Sequence, residues 1–157
     1  MKKYSFPFFE SKSLVPFIKF TTEEGKDIFA LVDSGSESTL FDRSLMEECP
    51  EVIKSTVALG TISMVGINGK RETTVDGTRL SLPATTVDGR EGRIGLKAVS
   101  DDLSTLSEHV KKVYGSPEKM SLLIGGGALR ALHAKIDYAK KVITFSLEEK
   151  NKTKKAC

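Results

Sequence analysis

Short apolar segments separated by turn-forming residues recur along this chain, and they limit its possible folds more than any other sequence feature. Many are rich in β-branched or aromatic residues, which favours strands. The pairs Asn68–Gly69, Asp76–Gly77 and Asp88–Gly89 fall between such segments, and pairs of this kind form tight hairpin turns because both residues tolerate positive φ. The predicted strands are Tyr4–Phe9, Leu14–Thr21, Asp27–Val32, Val52–Leu59, Thr61–Ile67, Lys70–Val75, Thr78–Leu82, Arg93–Val99, Ser121–Ile124, Ala134–Tyr138 and Val142–Leu147.

Helical patterns are few in this sequence. The clearest is Leu103–Tyr114, which follows two aspartates and precedes a glycine and a proline, residue types that start and end helices. Its predicted apolar face consists of Leu103, Leu106, Val110 and Val113. Shorter helices are predicted at Asp42–Glu48, with Asp42 as the N-cap, and near residues 127–133.

Length and charge indicate an ordinary globular protein. The 157 residues suffice for one domain, which we expect at residues 1–147, followed by a charged, disordered tail at residues 148–157. The 24 basic and 21 acidic residues give a net charge of +3, which is too balanced to indicate a nucleic-acid partner. Many short strands in a chain of this size favour a closed or barrel-like sheet.

Several other classes of protein find no support in the sequence. No apolar run reaches the ~20 residues of a membrane-spanning helix, so no membrane partner is expected. The N-terminus lacks the pattern of a secretory signal, and we therefore predict a cytoplasmic protein. Cys49, Cys157, His109 and His133 are too dispersed to indicate a disulfide framework or a metal site.

One segment combines polar groups with apolar flanks in an order suited to chemistry: residues 29–42 read FALVDSGSESTLFD. An apolar strand runs directly into Asp33, so its carboxylate is expected where solvation is poor. Gly35 permits a tight turn that brings backbone amides close to that carboxylate, and Ser34 adds a hydroxyl that can hold the loop. The tripeptide Asp-Ser-Gly alone is also an ordinary turn sequence, so the wider context carries the argument.

In that wider context, residues 30–41, ALVDSGSESTLF, resemble the active-site signature of retropepsin-like aspartic proteases. In that signature, apolar residues precede Asp, Ser or Thr, Gly and a small residue, and an apolar segment follows. The resemblance implies that Asp33 is the catalytic carboxylate. It also implies that Ser34, Gly35 and Ser36 form the active-site loop, with Ser34 where most retroviral members have Thr and Ser36 where they have Ala.

A second segment, SLLIGGGALRALHAKIDYAKKVITF at residues 121–145, is similar to the C-terminal part of retropepsin-like domains. The similarity implies that Ile124 and Gly125 belong to a loop that supports the catalytic loop. Retroviral members work as dimers, and they commonly carry an Arg that braces the dimer where this chain has Gly126. We therefore expect other parts to form much of the dimer interface: the catalytic loops, the strand Tyr4–Phe9 and the helix Leu103–Tyr114.

Between these segments, residues 62–74 read ISMVGINGKRETT, the pattern of a hairpin with a central Asn-Gly turn. Retropepsins cover the substrate cleft with a glycine-containing hairpin at this position. The resemblance therefore implies a substrate-contacting flap formed by Gly66, Ile67, Asn68 and Gly69.

The resemblance as a whole implies an all-β, retropepsin-like, closed or barrel-like domain with one or two short helices and a flap hairpin. The implied activity is that of an aspartic endopeptidase, which hydrolyses peptide bonds with water activated between the two Asp33 carboxylates of a homodimer. Its substrate would be an extended peptide or protein, and no cofactor or metal is implied.

Two alternatives belong to other functional classes. The first is a non-catalytic peptide-binding or assembly module of the same fold. The second, a dinucleotide-binding site at IGGGALRALH, is disfavoured because Arg130 occupies the third glycine position of G-x-G-x-x-G. Too few residues follow that segment to complete a βαβ unit.

Overall fold

Strands dominate the computed structural model, which describes residues 1–10, 16–66, 69–114 and 119–148. The helices are α1 (Leu45–Glu48), α2 (Ser104–Tyr114) and α3 (Gly126–Ala131), with a 3-10 turn at Pro50–Val52. The prediction of an all-β domain with short helices is confirmed. The strands are β1 (Lys2–Pro7), β2 (Phe9–Glu10), β3 (Pro16–Thr21), β4 (Asp27–Asp33), β5 (Leu40–Asp42), β6 (Ile53–Gly66), β7 (Gly69–Thr85), β8 (Glu91–Asp101), β9 (Met120–Gly125), β10 (Lys135–Asp137) and β11 (Val142–Leu147).

The strands form two sheets. The larger has the order β2-β3-β4-β9-β5-β8-β7-β6 and curls into a half-barrel, and the smaller has the order β1-β11-β10. Most neighbouring strands are antiparallel, but β4 runs parallel to β9 and β5 runs parallel to β8. The parallel strands β4 and β9 lie side by side and therefore end at the same edge of the sheet.

The strands β4 and β9 are buried on both faces, which explains their nearly continuous apolar sequences. Val32 and Ile124 belong to the main core, which both sheets enclose. Leu31 and Leu123 point the other way into a second cluster, which α2 covers with Val110. Burying an aliphatic side chain of this kind stabilises the fold by about 1.5–3 kcal/mol. These strand ends are therefore firmly positioned.

Aromatic side chains join the smaller sheet to the larger one. The ring of Phe6 in β1 packs 4.9 Å from that of Phe20 in β3 and 5.6 Å from that of Phe145 in β11. Phe20 and Phe145 are fully buried. Tilted ring pairs at these distances add attraction beyond the burial of their area.

The central hairpin is longer than the sequence predicted. Apart from Val52, which ends the 3-10 turn, the described residues of the predicted strands Val52–Leu59 and Thr61–Ile67 belong to one strand, β6. The predicted strands Lys70–Val75 and Thr78–Leu82 both fall in β7. A register shift between Ala58 and Gly60 allows β6 to continue past Gly60. The turn predicted at Asp76–Gly77 is wrong, because both residues pair with β6 in the ladder.

The turn predicted at Asp88–Gly89 is confirmed. Gly89 has a φ of +88°, and its N–H donates to the carbonyl of Thr86 at 3.0 Å. Glycine adopts such a positive φ without the steric cost that other residues incur. This turn connects β7 to β8.

The helix α2 agrees with its predicted bounds within one residue, and its first turn is capped by Asp102, whose carboxylate accepts the Ser104 N–H at 3.0 Å. Leu103 and Val110 are buried, as predicted. The prediction that Val113 lies on the buried face is wrong, because its side chain is 46% exposed. Within the helix, Leu106 and Val110 pack into the second cluster.

The two shorter helices differ from their predicted bounds. The helix α3 begins at Gly126 and ends at Ala131. The helix α1 begins only at Leu45, and Asp42 is not its N-cap but the last residue of β5. Among the described residues, no helix is long and apolar enough to cross a membrane. Of the predicted tail at residues 148–157, everything after residue 148 lies outside the described part of the chain.

Candidate active site

The candidate site forms where β4 and β9 end together. Asp33 is the last residue of β4 and is paired in register with Gly125, the last residue of β9. The preceding pair, Val32 and Ile124, is buried. The parallel register thus brings the two sequence segments singled out above into direct contact.

A tight turn follows Asp33 and holds its carboxylate. The Gly35 N–H donates to Oδ1 of Asp33 at 2.9 Å, and the Ser36 N–H donates to the Asp33 carbonyl at 3.2 Å. A Cβ on Gly35 would lie 3.2 Å from that same Oδ1, which is a tight contact. Glycine at this position therefore keeps the space beside the carboxylate open. Asp33 itself is half-buried.

Three consecutive glycines support this loop from the side of β9. The Gly126 N–H donates to the Ser36 carbonyl at 2.5 Å, and the Gly127 N–H donates to the Glu37 carbonyl at 3.3 Å. A Cβ on Gly125 would lie 2.3 Å from the Ser38 carbonyl oxygen, a distance that no side chain can occupy. Small residues at this point therefore allow the two chain segments to approach closely.

Thr39 is a supporting residue that the sequence analysis did not single out. It is 4% exposed, and its hydroxyl accepts the buried Gly125 N–H at 3.1 Å. Its carbonyl accepts the Val99 N–H at 3.0 Å, which links the loop to β8. The one sequence signal for this role was that Thr39, a residue with a hydroxyl, directly precedes the apolar residues Leu40 and Phe41.

The predicted loop residues Ser34 and Ser36 have different surroundings. The Ser36 hydroxyl donates to the Ser38 carbonyl at 2.9 Å and thereby braces the loop from within. The Ser34 side chain is exposed, and its hydroxyl has no hydrogen-bond partner among the residues described for this single chain. The bracing role predicted for Ser34 therefore stays a prediction.

The predicted flap lies at the end of the long hairpin formed by β6 and β7. Gly66 and Gly69 are paired as the last residue of β6 and the first of β7. Ile67 and Asn68 lie outside the described residues. The hairpin is therefore present, whereas its contact with a substrate stays a prediction.

Asp42, which ends β5, is buried in a network of hydrogen bonds. Its Oδ1 accepts the buried Leu103 N–H at 2.8 Å, and its Oδ2 accepts hydrogen bonds from the Ser44 N–H and hydroxyl. The Lys119 ammonium lies 3.5 Å from Oδ2. Burial acts to raise the pKa of Asp42, but the hydrogen bonds and the lysine charge outweigh it and hold the pKa below its ordinary value.

Comparison with known proteins gives matches at the level of structure only. No protein-family model and no curated protein sequence matches the chain. Basic 7S globulin from soybean matches with a TM-score of 0.51 at 10% identity, over 96% of this chain and 52% of that one. This chain therefore spans about half the length of the globulin.

Two further matches are to chains shorter than the globulin. The retroviral protease-like domain of Ddi1 from Leishmania major matches with a TM-score of 0.41 at 14% identity, over 87% of this chain and 96% of that one. A retropepsin-like aspartic protease from Rickettsia conorii matches with a TM-score of 0.41 at 12% identity, over 91% and 89% of the two chains. At such identities the likeness concerns the fold alone. The structural neighbours of this chain thus include retropepsin-like domains, at low similarity.

Proposed function

We propose that this chain is one subunit of an aspartic endopeptidase, in which Asp33 and the Asp33 of a second copy activate the attacking water. The observation that carries the proposal is the position and orientation of the Asp33 carboxylate. Its carboxylate stands at the end of a buried strand, is oriented by the Gly35 N–H at 2.9 Å, and has exposed residues directly beside it. A carboxylate needs fixed orientation and access to solvent to act as a base.

In the proposed dimer, two carboxylates approach so closely that they share one proton, because like charges at that distance cannot both stay ionised. The ionised carboxylate takes a proton from water as the water oxygen bonds to the peptide carbonyl carbon. The protonated carboxylate donates its proton to the carbonyl oxygen. Collapse of this intermediate breaks the C–N bond: one of its hydroxyls returns a proton to the ionised carboxylate, and the nitrogen leaves with the proton of the other carboxylate, so the pair again holds one proton.

A second copy is needed because, in the part of the chain that the structure describes, Asp33 is the one carboxylate that we consider suitable. Within the described residues, the comparable strand-end carboxylate of Asp42 is already engaged by Ser44 and Leu103. A two-fold axis beside Asp33 would supply the second carboxylate, and two-fold dimers are the commonest oligomers. The exposed Ser34 hydroxyl is then available to a partner loop.

The direct test is cleavage of a mixed peptide library, followed by mass spectrometry. We expect the wild-type protein to cleave and the Asp33→Asn variant to lose that cleavage. Asp27→Asn is the matched control, because Asp27 begins the same strand and is partly exposed at the sheet surface. Equal cleavage by wild type and Asp33→Asn would refute the proposal. Binding of peptides by both proteins without cleavage would support the non-catalytic module instead.

The dimer is tested separately by mixing wild-type and Asp33→Asn subunits. If both carboxylates are required and subunits exchange freely, an equal mixture retains about a quarter of the wild-type activity, because only dimers of two wild-type copies are active. If each chain acted alone, about half would remain. The second result would contradict the shared site even if Asp33 proved essential.

A further inference from the structure

The strand β8 has a free edge beside the Asp33 loop. Along its length from Glu91 to Val99 it pairs with β7, whereas its other edge pairs with β5 only from Val99 onwards. The Val99 N–H points to that second edge, since it donates to the Thr39 carbonyl at 3.0 Å. Backbone groups in a strand alternate in direction, so those of Gly95 and Lys97 point to the same edge.

These backbone groups are available for pairing. Within the described part of the chain, the N–H and C=O groups that Gly95 and Lys97 direct to the free edge have no hydrogen-bond partner. Such an edge can accept an additional strand from another chain. Folded proteins usually cover or disrupt edges of this kind.

The free edge lines a groove of about 600 Å³, whose other walls are α3 and the loop that follows Asp33. The floor is apolar, because Leu96 and Ala98 of β8 and Leu132 after α3 belong to the main core and border the groove. Ala131 is exposed on the α3 side. The groove therefore combines backbone groups that can pair with a strand and an apolar wall that can contact its side chains.

The charged residues of the groove are mostly cationic. Arg79 and Lys97 lie directly opposite each other in the antiparallel pair β7–β8, and both are exposed. Like charges opposite each other are unfavourable for a sheet. Among the described side chains neither has an acidic partner, and Glu37 is the one carboxylate lining the groove. An acidic ligand would relieve this repulsion.

We propose that the free edge of β8 binds an extended segment of a partner protein as an added strand, and that this segment alternates apolar and acidic residues. Successive side chains of a strand point to opposite faces. The apolar residues would face Ala98, Leu132 and α3, and the acidic residues would face Lys97 and Arg79. This site does not require the Asp33 chemistry.

The test uses a fluorescein-labelled octapeptide in which valine and glutamate alternate, with a valine–lysine octapeptide of equal length as its control. Binding is measured by fluorescence anisotropy in the full-length Asp33→Asn background, which prevents cleavage. We expect the acidic peptide to bind and the basic peptide to bind at least about tenfold more weakly. Binding should protect the amide hydrogens of Gly95 and Lys97 from exchange with solvent.

Two pairs of variants locate the site. Lys97→Glu should weaken binding of the acidic peptide about tenfold, and Lys97→Gln should have a smaller effect, because only the first introduces repulsion. Ala131→Glu should likewise weaken binding more than Ala131→Gln. Both positions are exposed, so the fold should tolerate all four changes.

Three results would overturn the proposal. The first is absence of binding of the acidic peptide at 1 mM, which we take as an order-of-magnitude ceiling for a specific added strand. The second is binding that neither Lys97→Glu nor Ala131→Glu weakens. The third is protection of the Gly95 and Lys97 amides that depends on protein concentration without peptide, which would make a second copy the occupant. Absence of cleavage by the wild-type protein would count against the proposed protease but would leave these binding results unaffected.

Discussion

Asp33 and Asp42 both end strands of the larger sheet, yet their carboxylates are in opposite situations. Asp42 is 8% exposed and accepts hydrogen bonds from the Leu103 N–H and from both the N–H and the hydroxyl of Ser44. Asp33 is half-buried and, within the described residues, its carboxylate accepts a hydrogen bond only from the Gly35 N–H. Both residues end an apolar strand, but the number of hydrogen bonds that their carboxylates accept differs.

The difference indicates that the Asp42 carboxylate has a structural role, whereas the Asp33 carboxylate is open to further hydrogen bonds. An ionised carboxylate can accept about four hydrogen bonds. The hydrogen bonds that the Asp42 carboxylate accepts connect β5 to α1 and to the start of α2. Among the described residues, most acceptor positions of the Asp33 carboxylate have no partner, so they are open to water, a substrate or a second copy of the chain. The two residues should therefore respond differently to the same substitution.

The largest effect we expect is on activity, in Asp33→Asn. Removing a general base lowers the rate by about 10²–10⁴-fold, whereas the free energy of unfolding should change by less than about 0.5 kcal/mol. Peptide cleavage and urea denaturation measure the two quantities on the same sample. Destabilisation by several kcal/mol would show that Asp33 is a structural carboxylate like Asp42.

The next effect is on stability, in Asp42→Ala. The substitution leaves the buried Leu103 N–H without its acceptor and releases Ser44, so we expect a loss of about 3 kcal/mol in the free energy of unfolding. Asp102→Ala is the control, because it removes a more exposed helix cap and should cost about 1 kcal/mol. An equal or smaller loss in Asp42→Ala would contradict the comparison.

The sequence predicted the two strand ends that meet at Asp33 and Gly125 better than it predicted the elements around them. Asp33 and Gly125 each follow a continuous apolar run, and such runs are recognisable because β4 and β9 are buried on both faces. The strand β5 was missed because it has only three residues and exists through its pairing with β8 and β9. Thr39 was missed for the same reason, since its role depends on a residue far along the chain.

A repeated pentapeptide shows why local sequence was insufficient. The residues TTVDG occur at 73–77 and at 85–89, and a turn was predicted at the Asp-Gly pair that ends each copy. The second copy does end β7 and forms the turn at Gly89, but the first lies inside β7 and pairs with β6. The strands beside each copy decide whether it forms a turn or continues a strand, and the five residues alone do not contain that information.

A smaller effect on stability is expected for Gly125→Ala. The added methyl group would overlap the Ser38 carbonyl oxygen, so the loop after Asp33 must move, at a cost of about 2 kcal/mol. Gly127→Ala is the matched control, because its Cβ would approach the Glu37 carbonyl oxygen only to 3.1 Å. Urea denaturation compares the variants. Equal stability of the two would contradict close support of the loop by Gly125.

The smallest effect is the pH dependence that Asp42 confers. Burial opposes ionisation of Asp42, but Ser44, Leu103 and the Lys119 charge outweigh it, so its pKa is lower in the folded protein than in the unfolded chain. The unfolded chain therefore binds a proton first as the pH falls. The resulting stabilisation is fully present above the ordinary aspartate pKa of about 3.9 and is lost as the pH falls through the lower folded value.

The measurement is the free energy of unfolding of the wild type minus that of Asp42→Asn, taken as a function of pH. We expect the difference to be constant above about pH 5 and to decrease below about pH 4. In a Lys119→Gln background the decrease should be smaller, because the lysine charge lies 3.5 Å from Oδ2 and helps to lower the folded pKa. A difference that grows on acidification would reverse the sign and show that burial, not the hydrogen bonds, dominates at Asp42.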